Sequence, residues 1–487
     1  MQIFKNIKIL LLNLIIFLLP FLDFIKNNLD EIDIIIGKSF YFLIFVISAI
    51  ILISAYILNF FIKRINLMES LLIICLSFWL LFKHNFLNIF FKNTFLKFQF
   101  ISIEYSSEIA LLILIFLSVY FSILIIKKNK LFVRFLYIFF FLSFFANLLL
   151  ITFNNEGPEI DIGSKKSSVN FPDNINSKKN NIYFFILDAM QPIKEFEKYY
   201  NIDLNYFLNS IENNKYTYIH DTVNLYDNTT HGLSAIFYLN KIFTEENKLK
   251  EETKILYPTL LRIKQQSDLI NNLNNLGYDF KWLGNFFAYC PKFNIKYCIN
   301  KNQNTIIDTY LYINFFRQSP LIQIIINFGY IFNFDYNKHF FFELNDGIGR
   351  LTDYLKSENK IIRKPTFYFI HHMSPHWPYI TDENCSYKNY PGEKNLDGYK
   401  AAYLCNLKKI INTINFLEVF DPDATVIFQS DHNWIMSKSK NEKKLIFNLI
   451  KLDSDCKIEE DINLNNVNIL RLVFSCITGN NPNYITN

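Results

Sequence analysis

The sequence has few charged residues, since Asp, Glu, Lys and Arg make up 19% of its 487 positions whereas 51% are hydrophobic. This composition is too apolar for an average soluble protein, and the chain is too long for one ordinary domain. The sequence also lacks a basic stripe interleaved with aromatic residues. We therefore attribute the net charge of +5 to basic residues that are spread along the whole chain. We therefore expect no nucleic-acid partner.

The cysteines lack the Cys-x-x-Cys spacing, which argues against a zinc ribbon. Only Cys75 of the seven falls in a long apolar stretch. The other six form an even set: Cys290, Cys298, Cys385, Cys405, Cys456 and Cys476. Their pairing stays open, although 290 with 298, 385 with 405 and 456 with 476 would be the economical pairs. Disulfide bonds in an oxidising compartment are the simplest explanation of this set.

The hydrophobic excess lies mostly before residue 153, in five apolar stretches. They cover residues 7–25, 40–62, 67–82, 109–126 and 131–153. Each has roughly the 17 to 25 residues that cross a bilayer, and no small-residue cleavage site follows the first, which favours an anchor over a signal peptide. Lys83 and His84 shorten the third stretch, and segment 86–100 is typical of a helix at the membrane interface.

Basic residues mark the expected cytoplasmic ends of these stretches. They are Lys5, Lys8, Lys63, Arg64, Lys127, Lys128, Lys130 and Arg134. With the N-terminus inside, five spans place everything after Phe153 outside the cytoplasm. We thus predict a multi-pass protein of the cell inner membrane with an extracytoplasmic domain.

The composition indicates three regions. Residues 1–153 are predicted to form a five-helix transmembrane bundle, and residues 154–180, rich in Asn, Ser, Lys, Gly and Pro, a linker. Residues 181–487 alternate apolar strands with helix-period segments such as 257–276 and 399–416. This alternation is typical of an α/β sandwich with a substantial core.

Three apolar strands of this region are followed by residues that can bind a cation. Segment 181–187 leads to Asp188, segment 366–370 leads to His371, His372 and His376, and segment 425–430 leads to Asp431 and His432. Ligands of open α/β sheets bind at such strand ends, and carboxylates with imidazoles suit a divalent cation such as zinc. Each Asp could instead be a turn former or helix cap, and Trp377 and Tyr379 suggest that part of the histidine segment is core.

Thr229 lies where a polar loop enters a helical pattern. Its hydroxyl would then sit at a helix N-terminus, where an anionic phosphoryl group is favoured, and a metal ion could activate it as a nucleophile. An equally good local interpretation is that Thr229 only caps the helix. His376 is a candidate to protonate a leaving alkoxide or hold the phosphoryl group.

These motifs, in this order, resemble the sulfatase-like branch of the alkaline phosphatase superfamily. The matching segments are Leu-Asp-Ala at 187–189, Asn-Thr at 228–229 with Ser-Ala-Ile at 234–236, His-x-x-x-x-His-x-Pro-Tyr at 371–379 and Ser-Asp-His at 430–432. Within that branch the chain is most similar to membrane-bound phosphoethanolamine and phosphoglycerol transferases, which also have five N-terminal spans and an extracytoplasmic catalytic domain.

The resemblance implies roles for particular residues. It makes Asp188, Thr229, Asp431 and His432 ligands of a catalytic metal, zinc or manganese, and Thr229 the nucleophile that becomes a phospho-threonine. It makes His376 a substrate-binding or acid/base residue and, with Asn228 and His371, part of the substrate site. Segments around Tyr403 and Asn406, and around Asn468 and Arg471, are similar to a helix and a closing segment of relatives.

The sequence departs from the family pattern in several places. Asp188 stands where several transferases have Glu, Asn433 replaces the Gly of Asp-His-Gly, and Thr230 makes the nucleophile ambiguous by one residue. No cysteine has the Cys/Ser-x-Pro-x-Arg context of true sulfatases, which disfavours that activity.

Three functions follow as hypotheses. The first is a transferase that moves a phosphorylated head group from a phospholipid donor to a glycan or lipid-linked acceptor. The second is hydrolysis of a phosphodiester or sulfate ester by the same ligands. The third is a non-catalytic envelope binding protein that keeps the fold.

Overall fold

The computed structural model divides the chain into two compact units. It describes residues 2–27, 38–61, 67–82, 120, 130–153, 179–241, 267–283, 315, 338, 342, 346–358, 364–390, 392, 394–434, 436, 444–452, 456 and 464–486. One unit comprises Met1–Glu159 and Asn304–Phe334, and the other comprises Ile160–Gln303 and Asp335–Asn487.

The described part of the first unit is helical. Its helices are α1 (Gln2–Asn27), α2 (Lys38–Phe61), α3 (Leu67–Leu81) and α4 (Lys130–Phe153). They coincide with four of the five predicted spans, while segment 86–100 and, apart from Tyr120, span 109–126 lie outside the described residues. Within the described ranges, Phe40–Phe61 is the one helix long and apolar enough to cross a membrane. The five-span bundle therefore stays a prediction.

Aromatic packing holds these helices together. Phe21 of α1 packs edge-on against Phe40 of α2, and Trp79 of α3 packs edge-on against Phe140 of α4. Such ring pairs contribute beyond the apolar area that they bury.

The second unit is an α/β sandwich, as predicted. Its strands are β1 (Ile182–Leu187), β2 (Thr217–Tyr218), β3 (Asp279–Leu283), β4 (Thr366–His372), β5 (Tyr379–Thr381), β6 (Tyr387–Tyr390), β7 (Thr425–Ser430) and β8 (Asn448–Lys451). Its helices are α5 (Ile193–Tyr200), α6 (Asn205–Asn213), α7 (Thr229–Tyr238), α8 (Asp268–Asn275), α9 (Gly347–Glu358), α10 (Leu396–Phe420) and α11 (Asn468–Thr478).

Six of these strands form one mixed sheet in the order β2-β8-β7-β1-β4-β3, and β5 pairs with β6 separately. β1 lies at the centre, parallel to both β4 and β7, with Leu187 in register with His372 and Ser430. All six residues of β1 are buried, which explains its unbroken apolar sequence. The aligned register brings the carboxyl ends of β7, β1 and β4 to one edge.

Alternate side chains of β1 enter two separate cores. Tyr183, Phe185 and Leu187 pack with buried residues of α5, α6, α9 and α10. Ile182, Phe184 and Ile186 pack with residues of α7, α8 and α11 on the other face. The sheet is thus the middle layer of a three-layer sandwich.

The structure also bears on the predicted disulfide pairs and on three predicted segments. Disulfides join Cys385 to Cys405 and Cys456 to Cys476, as the economical pairing predicted, while Cys290 and Cys298 lie outside the described residues. The helical segment 399–416 lies within α10. The predicted helical segment 257–276 is described only from Ser267 onward, and Ser267 caps α8. The predicted linker 154–180 is described only at its last two residues.

Candidate metal centre and catalytic site

Three neighbouring strands deliver acids and imidazoles to one point. Asp188 directly follows β1, His371 is near the end of β4, and Asp431 with His432 follows β7. The backbone N–H of Asp188 donates to the carbonyl of His372 at 3.0 Å, so the strand pairing extends to the site itself. The predicted convergence of these strand ends is therefore present.

The polar atoms of this cluster lie close together. Nε2 of His432 is 3.2 Å from Oδ1 of Asp188 and 3.8 Å from Oδ2 of Asp431. Nε2 of His371 is 3.6 Å from Oδ2 of Asp188. Asp188, Asp431 and His371 are at most 1% exposed. The site is thus a buried cluster of two carboxylates and their imidazole neighbours.

Several oxygens of this cluster have no hydrogen-bond donor among the described residues. They are both carboxylate oxygens of Asp188 and Oδ2 of Asp431. Oδ1 of Asp431, in contrast, accepts from the backbone N–H groups of Ala189 at 3.1 Å and His432 at 2.8 Å. Because an unpaired buried carboxylate is costly, this arrangement fits a cation. Carboxylate oxygens with imidazole nitrogens are a donor set that zinc accepts.

Backbone carbonyls orient two imidazoles toward the cluster. Nδ1 of His432 donates to the carbonyl of Asn433 at 2.7 Å, and Nδ1 of His376 donates to the carbonyl of Trp377 at 2.5 Å. In the neutral form of each ring, the proton on Nδ1 leaves the lone pair on Nε2, which is how second-shell bonds prepare histidine ligands. His376, His432 and Asp188 each place a ligand atom within 4.8 Å of the other two.

Thr229 is the first residue of α7. The helix cap is Asn228, whose side chain accepts from the backbone N–H of His231 at 2.9 Å, so the interpretation of Thr229 as the cap is wrong. The Thr229 side chain faces the Asp431 carboxyl and lowers its pKa, and the residue is 9% exposed. The side chain of Thr230 lies outside the described part of the chain.

α7 approaches the strand end of β7 closely. A Cβ on Gly232 would lie 3.0 Å from the carbonyl oxygen of Asp431 and 3.2 Å from the Asn224 side chain. The Asn224 amide donates to that same carbonyl. Glycine at this position therefore lets the N-terminal turn of α7 reach the cluster.

The two carboxylates carry opposite pKa shifts. Burial raises the pKa of Asp188, but the facing His376, His371 and His432 outweigh burial and hold it below its ordinary value. Burial and the charge of Asp188 raise the pKa of Asp431. Burial lowers the pKa of His432, yet Asp431 and Asp188 raise it to about 10. The cluster therefore attracts positive charge.

The unusual Asn433 does not obstruct the cluster. It is 5% exposed, its Nδ2 donates to Oε2 of Glu195 at 2.9 Å, and its Oδ1 accepts from the backbone N–H of Trp434 at 2.6 Å. The side chain is thus engaged with α5 and its own turn.

The histidine segment divides between two clusters. Because neighbouring residues of a strand face opposite sides, His371 points to the carboxylates while His372 points to α9 and α10. Nε2 of His372 is 3.1 Å from Oδ1 of Asn406, and its Nδ1 is 3.6 Å from Asp346. Asp346 also pairs with Lys409 at 2.8 Å. Sequence analysis missed Asp346 and Lys409, although strand alternation would have separated His371 from His372.

The other predicted segments make structural contacts. The Tyr403 hydroxyl donates to the carbonyl of Gln191 at 3.1 Å and so supports the loop after β1. Asn468 donates to the carbonyl of Ile485 at 2.9 Å, and Nε of Arg471 donates to that of Leu239 at 3.0 Å. Asn468 and Arg471 therefore tie α11 to the C-terminal segment and to the end of α7.

The sequence matches no protein-family model and no curated protein. Similar solved structures include the Zn complex of the C-terminal periplasmic domain of EptC from Escherichia coli, with 13% identity, a TM-score of 0.41, and coverage of 64% of this chain and 85% of that chain. The C-terminal periplasmic domain of phosphoethanolamine transferase EptC from Campylobacter jejuni has 12% identity, a TM-score of 0.38 and coverage of 61% and 89%. A protein in the alkaline phosphatase superfamily from Vibrio parahaemolyticus has 14% identity, a TM-score of 0.39 and coverage of 63% and 68%.

Proposed function

We propose that the chain is a membrane-anchored, metal-dependent transferase that moves a phosphorylated head group from a phospholipid to an envelope glycan or lipid. One observation carries the proposal. Both carboxylate oxygens of Asp188 and Oδ2 of Asp431 are buried without a hydrogen-bond donor among the described residues, and the Asp431 carboxyl faces Thr229 at the start of a helix. The motif order of the sequence supports the same chemistry.

Asp188, Asp431 and His432 would hold the cation, with the Thr229 oxygen beside it. His371 is fully buried against Asp188, so we assign it to this cluster rather than to direct substrate contact. A bound divalent cation would lower the pKa of the Thr229 hydroxyl and offset the charge of a phosphoryl group. Zinc and manganese both remain candidates.

Thr229 is the proposed nucleophile. Its Oγ1 forms a bond to phosphorus as the bond from phosphorus to the glycerol oxygen of the donor breaks. The hydroxyl proton passes to the neighbouring Asp431 carboxylate, and His376 in its protonated form donates a proton to the departing oxygen. The N-terminus of α7, with Asn228 at its cap, favours the negative charge of the phosphoryl group.

The N-terminal helices would anchor this site at the surface of the inner membrane, on its extracytoplasmic side. A lipid donor is confined to the same surface, so anchoring raises its effective concentration at Thr229. The acceptor hydroxyl of a glycan or lipid-linked molecule would then attack the phospho-threonine and regenerate Thr229.

The test is intact mass and metal content of the full chain in detergent, after incubation with phosphatidylethanolamine and phosphatidylglycerol. We expect about one divalent cation per chain and a covalent head-group adduct that maps to Thr229. Thr229→Ala should lose the adduct, while the matched control Thr230→Ala should keep it.

Each other outcome selects a different conclusion. An adduct on Thr230 would move the nucleophile by one residue. Metal without an adduct, together with free phosphorylated head group in the medium, would indicate hydrolysis. A chain with neither metal nor adduct would contradict the transferase and leave the binding-protein hypothesis.

A further inference from the structure

One tyrosine contacts both loops that carry the buried acids of the cluster. Tyr399, near the start of α10, is fully buried, and its hydroxyl lies against the β1 loop, residues 188–192. Its ring stacks on Trp434, two residues after His432, with the ring centroids 4.0 Å apart and the planes inclined by 8°. Tyr399 is not one of the proposed ligands, so any effect on the cluster passes through these loops.

The Tyr399 hydroxyl bridges the backbone of the β1 loop. It donates to the carbonyl of Ala189 at 2.9 Å and accepts from the backbone N–H of Gln191 at 3.1 Å. Both bonds are buried, where hydrogen bonds are stronger than in water. Burial also raises the pKa of this hydroxyl well above its ordinary value, so it keeps its proton and remains a donor. The two bonds therefore fix the path of the chain directly after Asp188.

The path that is fixed in this way is one that alanine rarely adopts. Ala189 has a φ of +59°, in the left-handed region that is unfavourable for every residue with a Cβ atom. Without support from its surroundings, an alanine would leave this conformation for a region with negative φ. The bonds from Tyr399 to Ala189 and Gln191 oppose that change.

The conformation of Ala189 directs its N–H at the Asp431 carboxylate. This N–H donates to Oδ1 of Asp431 at 3.1 Å, and the backbone N–H of His432 donates to the same oxygen at 2.8 Å. Because two donors occupy Oδ1, Oδ2 is the oxygen of Asp431 that is left for a cation. A change at Ala189 would release one of the donors and let the carboxylate turn.

We propose that Tyr399 is a positioning residue of the metal centre, which holds Ala189 so that its N–H fixes the Asp431 carboxylate. This role rests on the proposed function, because it assumes a cation at Asp188 and Asp431. Tyr399 acts through the backbone and contacts neither the substrate nor the cation. Removal of the bonds that support a metal ligand lowers metal affinity about 10- to 100-fold in other proteins.

The test uses the full chain in detergent and the variant Tyr399→Phe, which keeps the ring on Trp434 and removes both hydrogen bonds. Competition with a chelator measures the zinc affinity, and the visible spectrum of the chain loaded with Co²⁺ reports the geometry of the ligands. The matched control is Tyr278→Phe. Tyr278 is also buried, and its hydroxyl donates to the carbonyl of Asn180 at 3.0 Å, beyond the opposite end of β1.

We expect Tyr399→Phe to lower the zinc affinity about tenfold and to change the Co²⁺ spectrum, and Tyr278→Phe to leave both unchanged. Addition of Ala189→Gly to Tyr399→Phe should restore part of the affinity, because glycine adopts a positive φ without strain. A tyrosine that only packs the core would lower the stability when it is changed and leave the Co²⁺ spectrum as it is.

Hydrogen exchange of the metal-free chain tests the support of the loop separately. Peptides that cover residues 189–191 should exchange faster in Tyr399→Phe than in the parent and in Tyr278→Phe. Equal zinc affinities in the two tyrosine variants would overturn the positioning role, as would unchanged exchange at residues 189–191. A parent chain that binds no zinc, with faster exchange in Tyr399→Phe, would leave the support of the loop standing and contradict the proposed function, so the two failures are distinguishable.

Discussion

His432 donates its Nδ1 proton to the backbone carbonyl of Asn433 at 2.7 Å, and this bond aims the opposite nitrogen at Asp188. Asn433 is in turn held by Glu195 of α5, which accepts from its Nδ2 at 2.9 Å. Asn433 therefore positions the imidazole of His432 in the cluster.

Removing this support should weaken metal binding without removing a ligand. We expect Asn433→Ala and Glu195→Gln each to lower the affinity for zinc about tenfold, since supporting bonds of metal ligands have effects of that size. Competition with a chelator measures the affinity. Glu212→Gln, on an exposed position of α6, is the matched control. Unchanged affinity in both variants would show that Asn433 has no positioning role.

His432 should give the metal-free protein a pH-dependent stability. Its pKa is raised from 6.5 to about 10, because Asp431 and Asp188 outweigh the opposing effect of burial. Its charged form then stabilises the fold fully below pH 6.5, and this contribution is lost as the pH rises through about 10. We expect the free energy of unfolding to fall across that window in denaturant titrations.

Two comparisons check the assignment to His432. The variant His432→Gln should lack this part of the pH dependence, and an identical slope in that variant would refute it. Zinc affinity should increase with pH over the same range, because a proton and the cation compete for Nε2 of His432.

Gly232→Ala should push α7 away from the cluster. The new methyl group would lie 3.0 Å from the Asp431 carbonyl, which is backbone and cannot rotate aside. We expect a loss of about 1–3 kcal/mol in the free energy of unfolding, as for other overpacked sites. Thermal and denaturant unfolding measure the loss. A variant as stable as the parent, with unchanged zinc affinity, would show that α7 can shift without consequence.

The Cys385–Cys405 disulfide should stabilise the packing of the β5–β6 pair against α10. It connects the segment between β5 and β6 to α10 across 20 residues. We expect the double substitution Cys385→Ser and Cys405→Ser to lower the free energy of unfolding by about 3 kcal/mol, the magnitude of a loop of that length. Cys75→Ser, which changes a free cysteine, is the control. A loss no larger than that of the control would contradict this expectation.

The sequence predicted those parts of the site that follow directly from strands. Asp188, Asp431 and His432 each come at the end of an apolar run, and the ends of neighbouring parallel strands meet at one edge. The strands themselves were predictable because both faces of β1, β4 and β7 are buried. The fold class followed from the same alternation of strands and helices.

Other parts depend on contacts that local patterns do not encode. Asp346 precedes α9 and Lys409 lies within α10, and only the packing of these helices against the sheet brings them to His372. Asn228 and Thr229 are both acceptable N-cap residues, so the sequence could not tell which of them caps α7. In the structure the cap is Asn228. The bond of Asn433 to Glu195 joins residues distant in sequence, so the sequence did not predict that Asn433 supports His432.

The central position of β1 has a consequence for biosynthesis. β1 is made before either of its partners, and the chain must be complete through His372 and then Ser430 before both edges of β1 can pair. Until then a six-residue, wholly apolar strand has two open edges, the kind of segment that associates with other chains. Folding of this domain is therefore expected to be slow, and to benefit from a chaperone that shields Ile182–Leu187 until translation nears its end.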